Sequence, residues 1–316
     1  MTKIIPVFYA CDDNYAPLLG TSIKSLITNA SKDYFYNIHI LSCGFNADNQ
    51  KRLSALTSEN SRLIFDDMHE TAKEYCSKFH VRDYYSMAIY YRLFIANMFP
   101  QYDKAIYLDS DTIILGDVSK LYEMDLKDNL VAAGQENVML EDIFGYYVET
   151  VVGVNRHDYF NDGVMLMNLA LMRKENLQGQ FLNYTKIKTF TVTEDQDYMN
   201  VLCKDRVLRL GYEWNMMPVE GLCDKPNIVH FKITLRPWKY DGVMYEKEFW
   251  KYAKLAGYYD VLRAIYDNFT PEDRLNDQLM CRNLALMAIR QTKQADASVP
   301  IDENGFVGIY AAQLVF

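Results

Sequence analysis

The sequence predicts an α/β protein: a mostly parallel β-sheet flanked by helices, followed by a mainly helical C-terminal extension. Three observations carry that expectation. Apolar runs of strand length alternate with helix-length segments up to residue 65, the order that builds parallel strands joined by crossover helices. Further apolar runs lie at 105–115, 129–134, 163–168 and 227–231, and from Tyr245 onward the apolar spacing becomes helical. Half of the 316 residues are hydrophobic and 14% are aromatic, enough for a sizeable core. No repeat, low-complexity tract or linker interrupts the chain. Residues 1–244 are therefore expected to form one sheet-bearing domain, and residues 245–316 a helical addition packed on it.

Taken in order, Ile4 to Ala10 reads as a buried strand, with Pro6 tolerable near its start. Asp12-Asp13-Asn14-Tyr15 breaks that run. Pro17 to Asn29 carries Leu18, Leu19, Ile23, Leu26 and Ile27 at helical spacing. Asn37 to Cys43 is a second strand, Asp48 to Leu56 a helix and Ser61 to Phe65 a third strand. Glu70 to Phe79 is expected to be helical, and so is Ser86 to Met98, which Pro100 ends. Arg92 interrupts that apolar segment and faces either solvent or a site. Asn129 to Gly134 and Gly163 to Asn168 read as buried strands. Between them, Glu136 to Asp162 shows little pattern and reads as a long irregular loop of the kind that binds or covers a substrate. Leu169 to Lys188 and Gln196 to Cys203 are expected helices, and Asn227 to Phe231 a last core strand. Helices follow at Tyr245 to Ala256, Tyr258 to Asn268 and Pro271 to Gln294. Gly305 to Phe316 is apolar and reads as a terminal strand or docking tail.

A net charge of −9 argues against a general nucleic-acid binder, which needs a basic face. It also means that any bound diphosphate must find local positive charge in a metal ion, a few Arg or Lys side chains, or helix N-termini. The six cysteines are scattered with no Cys-x-x-Cys pair, a pattern that fits reduced thiols in a cytoplasmic protein. The first apolar run is too short for a signal-peptide core. No uncharged run approaches the roughly 20 residues of a membrane span, and the C-terminal helices lack a polybasic excess, which leaves at most peripheral membrane contact.

The chemistry centres on Lys104-Ala-Ile-Tyr-Leu-Asp109-Ser110-Asp111-Thr-Ile-Ile-Leu-Gly116. Alternate residues of an extended chain share a side, so Asp109 and Asp111 aim both carboxylates at one point. Such a pair repels itself unless a cation lies between, and hard oxygen ligands suit Mn²⁺ or Mg²⁺ completed by a substrate's phosphates. Taken alone, an Asp-x-Asp triplet is a weak signal in a chain this acidic; Asp195-Gln196-Asp197 is a second copy. Ligands of open α/β sheets bind beyond the carboxyl ends of the strands. That rule gathers Asp12 and Asn14 after the first strand, Asp109 and Asp111 after the central one, and His230 after the last. No Gly-x-Gly and no Gly-rich loop ending in Lys-Ser/Thr is present, which points away from dehydrogenases and NTPases.

The ordered motifs over roughly residues 4–250 resemble the retaining glycosyltransferases of family 8, which include bacterial lipopolysaccharide galactosyl- and glucosyltransferases and the glycogenins. Ala10-Cys-Asp12-Asp13-Asn14-Tyr15 resembles the family's uridine-binding opening. Tyr91-Arg92-Leu93 is similar to the segment whose arginine reaches the donor sugar or diphosphate. Tyr107-Leu-Asp109-Ser110-Asp111 is similar to its metal motif, and Phe160-Asn161-Asp162-Gly163-Val164 to a segment that places an asparagine near the transferred sugar. Asp195-Gln196-Asp197 resembles a sugar-site run. His230-Phe231 followed by Arg236-Pro237-Trp238 resembles the ending that supplies a third metal ligand and a basic residue for the diphosphate.

The resemblance implies a Rossmann-like, mixed, mostly parallel sheet of the glycosyltransferase A type. It implies a metal held by Asp109, Asp111 and His230, with Mn²⁺ or Mg²⁺ as cofactor. The UDP-sugar contacts it implies are Ala10, Asp12, Asn14, Tyr15, Arg92, Ser110, Glu136, Asn161 and Arg236, with Asp195 and Gln196 beside the reacting sugar. The expected reaction moves glucose or galactose from UDP to a carbohydrate or other hydroxyl, with retention. A self-glucosylating primer of the glycogenin kind and a catalytically silent nucleotide-sugar-binding protein are the alternatives. Three departures stand out. Ile233 occupies a usual glycine, Arg236 a usual lysine, and Asp162 a position commonly held by Ala, Ser or Thr. Trp238 is a candidate for stacking on an acceptor sugar, and Tyr84 and Tyr85 for lining the cleft.

Overall fold

A computed structural model of the protein describes residues 3–75, 78–81, 86–232 and 235–301. The strands are β1 Lys3–Ala10, β2 Tyr34–Ser42, β3 Ser61–Asp67, β4 Ala105–Leu108, β5 Thr112–Ile114, β6 Val131–Gln135, β7 Phe160–Met167, β8 Val207–Leu210 and β9 Ile228–His230. Seven of them form one sheet in the order β3-β2-β1-β4-β7-β6-β8. β1 lies parallel to both β2 and β4, and β2 to β3, while β7 runs antiparallel to its neighbours β4 and β6. The mixed, mostly parallel sheet agrees with the fold class the sequence predicts.

Side chains alternate across this sheet and build two cores. Phe8, Tyr107, Met165 and Met167 face one of them, while Val7, Tyr9, Ile106, Leu108, Val164 and Leu166 face the other. The helix Ala16–Asn29 covers the second face. The C-terminal helices join both cores. Phe249, Tyr252 and Ala253 of Glu246–Leu255 enter the second, and Ala285, Ala288 and Ile289 of Pro271–Ala295 enter the first. Asn29 Nδ2 donates to Tyr252 Oη at 2.8 Å, and a Cβ at Gly20 would meet Tyr258 at 2.3 Å. Among the described residues no helix is long and apolar enough to cross a membrane.

Three expectations change in detail, and one strand is unforeseen. Ser86 to Met98 is not one α-helix. Met87–Leu93 winds as a tighter 3₁₀ helix and Ile95–Met98 as a single α turn, which leaves Arg92 inward with its Nε donating to Ile89 O at 3.0 Å. Leu169 to Lys188 splits into two helices at Asn176, whose left-handed backbone (φ 51°) ends one and whose side chain caps the next. The irregular segment at 136–162 is largely ordered and helical. Ile143, Phe144, Tyr147, Val148, Val151 and Val152 pack into the first core, so most of it is wall rather than free loop. β8 carries no sequence signal, because Val-Leu-Arg-Leu is short, only partly buried, and paired to β6 at the sheet edge. The expected elements at Gly305 to Phe316, and Tyr84, Tyr85 and Ile233, lie outside the described residues.

Candidate active site

The site forms where the chain leaves β4. Having paired with β7, it crosses through Asp109-Ser110-Asp111 and pairs again as β5 with β9, Thr112 opposite His230. Both aspartate backbones are pinned at this crossing. Asp109 N donates to Gly163 O at 2.7 Å, and Phe231 N donates to Asp111 O at 3.0 Å. The register therefore brings residue 230 beside residues 109 and 111, although more than a hundred residues separate them in sequence.

His230 Nε2 lies 3.2 Å from Asp111 Oδ1 and 3.7 Å from Asp109 Oδ2, and one ligand atom from each residue falls within 4.8 Å of the others. His230 Nδ1 donates to Asn215 Oδ1 at 3.0 Å, which fixes the ring's orientation so that Nε2 faces the carboxylates. Gly163 makes the space, because a Cβ there would sit 2.3 Å from His230 Cε1 and 2.5 Å from Asp109 Oδ2. Two carboxylates and one imidazole around a cradle that a side chain would fill fit a hard or borderline divalent cation. Burial pushes the Asp111 carboxyl up, but His230 and Arg236 outweigh it and hold the group below its ordinary value.

A pocket opens beside this cluster. Its wall includes Ala10, Asp12, Tyr15, Arg92, Ser110, Glu136, Asn161, Asp195, Gln196 and Arg236. Asn14 is the exception among the expected contacts. Asp12 Oδ1 accepts from the backbone N–H groups of Asn14 and Tyr15, and the turn this caps leaves Asn14 exposed and outside the wall. Trp238 also departs from expectation. It is 5% exposed and packs on Phe231 and Phe249, so it offers no face to a sugar.

Arg92 is buried and holds three carboxylates together: Asp109 at 2.9 Å, Asp162 at 2.8 Å and Asp195 at 3.0 Å. Its guanidinium also lies 4.4 Å above the centre of the Tyr107 ring. Burial raises the Asp162 carboxyl to about 6 and lifts Asp195 well above the usual range, against the pull of Arg92. The second Asp-x-Asp triplet divides. Asp195 joins this cluster, while Asp197 is fully buried and accepts from Tyr147 and Tyr159 hydroxyls at 2.7 and 2.8 Å.

A chain of amides links Gln196 to His230. Asn161 Nδ2 donates to Glu136 Oε2 and to Gln196 Oε1, both at 2.8 Å, and Asn215 Nδ2 donates to Asn161 Oδ1 at 2.7 Å. Asn215 sits in a stretch without periodicity, and nothing in the sequence marks it. Lys232, whose Nζ lies 2.5 Å from Glu136 Oε2, was legible in principle. It alternates with His230 around Phe231, which is fully buried in the opposite core.

The chain is similar to known glycosyltransferases in sequence and in fold. Escherichia coli lipopolysaccharide 1,2-glucosyltransferase is 25% identical over 270 residues, covering 78% of this chain and 77% of its own. The apo structure of the bifunctional glycosyltransferase WbbM superposes with a TM-score of 0.75 at 27% identity, covering 85% of this chain and 52% of that one. The galactosyltransferase LgtC, solved with donor and acceptor sugar analogues, shares the fold with a TM-score of 0.66 at 24% identity, over 79% of this chain and 96% of its own. Residues 6–242, which carry the whole of the site except the packing of the C-terminal helices, match the model of glycosyl transferase family 8, and the chain belongs to that family.

Proposed function

We propose that the protein is a metal-dependent retaining glycosyltransferase that moves glucose or galactose from a UDP-sugar to an acceptor hydroxyl. The observation that carries this reading is the meeting of Asp109, Asp111 and His230 beside a pocket walled by Asn161, Asp195 and Gln196. The relatives add support, one being named a glucosyltransferase and one a galactosyltransferase seen with donor and acceptor analogues.

In this reading Asp109, Asp111 and His230 would hold Mn²⁺ or Mg²⁺, which when bound neutralises diphosphate charge as UDP departs. Ala10, Asp12 and Tyr15, at the carboxyl end of β1, take the uridine. Ser110 lies between the two aspartates and lines the phosphate end. Arg236, buried in the wall, supplies a fixed positive charge for the diphosphate. Gln196 Oε1, oriented by Asn161 Nδ2 at 2.8 Å and Asp162 N at 3.3 Å, presents a neutral carbonyl oxygen to the sugar. Such an oxygen stabilises positive character at the anomeric carbon, and the leaving phosphate takes the acceptor's proton.

Release of UDP from UDP-glucose and UDP-galactose, with and without Mn²⁺, tests the proposal. Metal-stimulated release from at least one donor is expected, and no release from any UDP-hexose would sink it. Arg236→Ala is expected to weaken UDP binding about 10–100-fold, the worth of hydrogen bonds to a charged group. Its preference between the two hexoses should stay as it was. Calorimetry with UDP and Mn²⁺ measures the first quantity and initial rates the second.

A further inference from the structure

Among the described residues, Lys232 is the one pocket-lining cation that neither the sequence motifs nor the proposed metal and diphosphate contacts use. Its neighbour in space, Glu136, is 5% exposed and also lines the pocket. Glu136 Oε2 is occupied, since it accepts from Lys232 at 2.5 Å and from Asn161 at 2.8 Å. Glu136 Oε1 is buried and has no hydrogen-bond partner among the described residues. A buried acceptor left unmade keeps its full desolvation cost, so an oxygen placed in a pocket wall in this state is poised for a ligand's donor. Lys232 has three N–H donors, and among the described residues Glu136 is its hydrogen-bond partner. The remaining donors are available.

We propose that Lys232 and Glu136 read neighbouring hydroxyls of the transferred hexose, Lys232 donating to one hydroxyl oxygen and Glu136 Oε1 accepting from the next. The pair is rigid enough to discriminate. Phe231 anchors the backbone of Lys232 in the core, and Asn161 ties Glu136 to Gln196 and, through Asn215, to His230. Burial pushes the Glu136 carboxyl up, but Lys232 outweighs it, so the oxygen stays an ionised acceptor. The partner chemistry is a neutral vicinal diol. A hexuronic acid would set a further carboxylate beside Glu136, Asp162 and Asp195.

The inference rests on the nucleotide-sugar reading, and its test separates the two. K232M and wild type are compared for UDP affinity by calorimetry with Mn²⁺. They are then compared for UDP release from UDP-glucose, UDP-galactose and UDP-hexoses lacking single hydroxyls. Wild type is expected to penalise at least one epimer or deoxy donor in kcat/KM, and K232M to shrink that penalty about tenfold or more. UDP affinity should change by less than about threefold, because Lys232 touches only the sugar. An unchanged penalty across the panel overturns the pair while leaving the family reaction standing. So does a loss of UDP affinity as large as the loss of discrimination, which would place Lys232 on the diphosphate. Failure of wild type to bind UDP overturns the nucleotide reading itself and the pair with it. If the unpaired Glu136 prevents K232M from folding, K232M/E136Q removes both charges and carries the same comparison.

Discussion

Asp111→Asn is expected to lower metal-dependent UDP release by about a thousandfold or more, equivalent to roughly 4 kcal/mol of transition-state stabilisation. The substitution changes almost no volume. It removes one negative charge from a group that His230 approaches to 3.2 Å and that stays ionised despite burial because His230 and Arg236 outweigh the desolvation. The backbone contacts that shape the crossing do not involve the side chain, since Phe231 N binds Asp111 O. The variant should therefore melt close to wild type while its Mn²⁺ affinity and turnover fall together. Near-normal turnover with Mn²⁺ present would remove Asp111 from the metal and undo the assignment.

The same crossing shows what could be read from sequence. Asp109 and Asp111 were legible because strand alternation alone aims both at one point. The rule that ligands gather beyond the carboxyl ends of strands then added Asp12 and His230. The depth of Arg92 was not legible, since its segment reads as an amphipathic α-helix and the 3₁₀ winding that turns it inward depends on tertiary contacts. Asn215 and Gly163 act through space. One holds a histidine fifteen residues away, and the other is small because His230 and Asp109 occupy the place of its side chain. Trp238 departs from its expected role for a related reason. A motif gives residue order but not which way a ring faces, and here the aromatic cluster with Phe231 and Phe249 claims it. The segment at 136–162 misled because its apolar residues follow no single period: a 3₁₀ turn, a short α-helix and a wider turn succeed one another within it.

Arg92→Met is expected to cost about 3–5 kcal/mol of stability, the range for removing one partner from a buried ion cluster. Three carboxylates converge on this guanidinium, two of them nearly as buried as Arg92 itself. Methionine replaces much of the volume but none of the charge. The pH dependence gives the diagnostic. In wild type Asp162 is raised to about 6 from an ordinary value near 3.8, and Asp195 is also raised, with burial as the main cause. A carboxyl whose folded value exceeds its unfolded value binds more protons when folded. Its stabilising contribution is therefore full below about 3.8 and is lost as pH rises through about 6. Without Arg92 the charged forms are opposed further, so the values rise again and the loss deepens at neutral pH. Thermal melts should show a larger deficit for the variant at pH 8 than at pH 5. A deficit independent of pH would mean that the arginine acts by packing on Tyr107 rather than by holding Asp162 and Asp195 as carboxylates in the pocket wall.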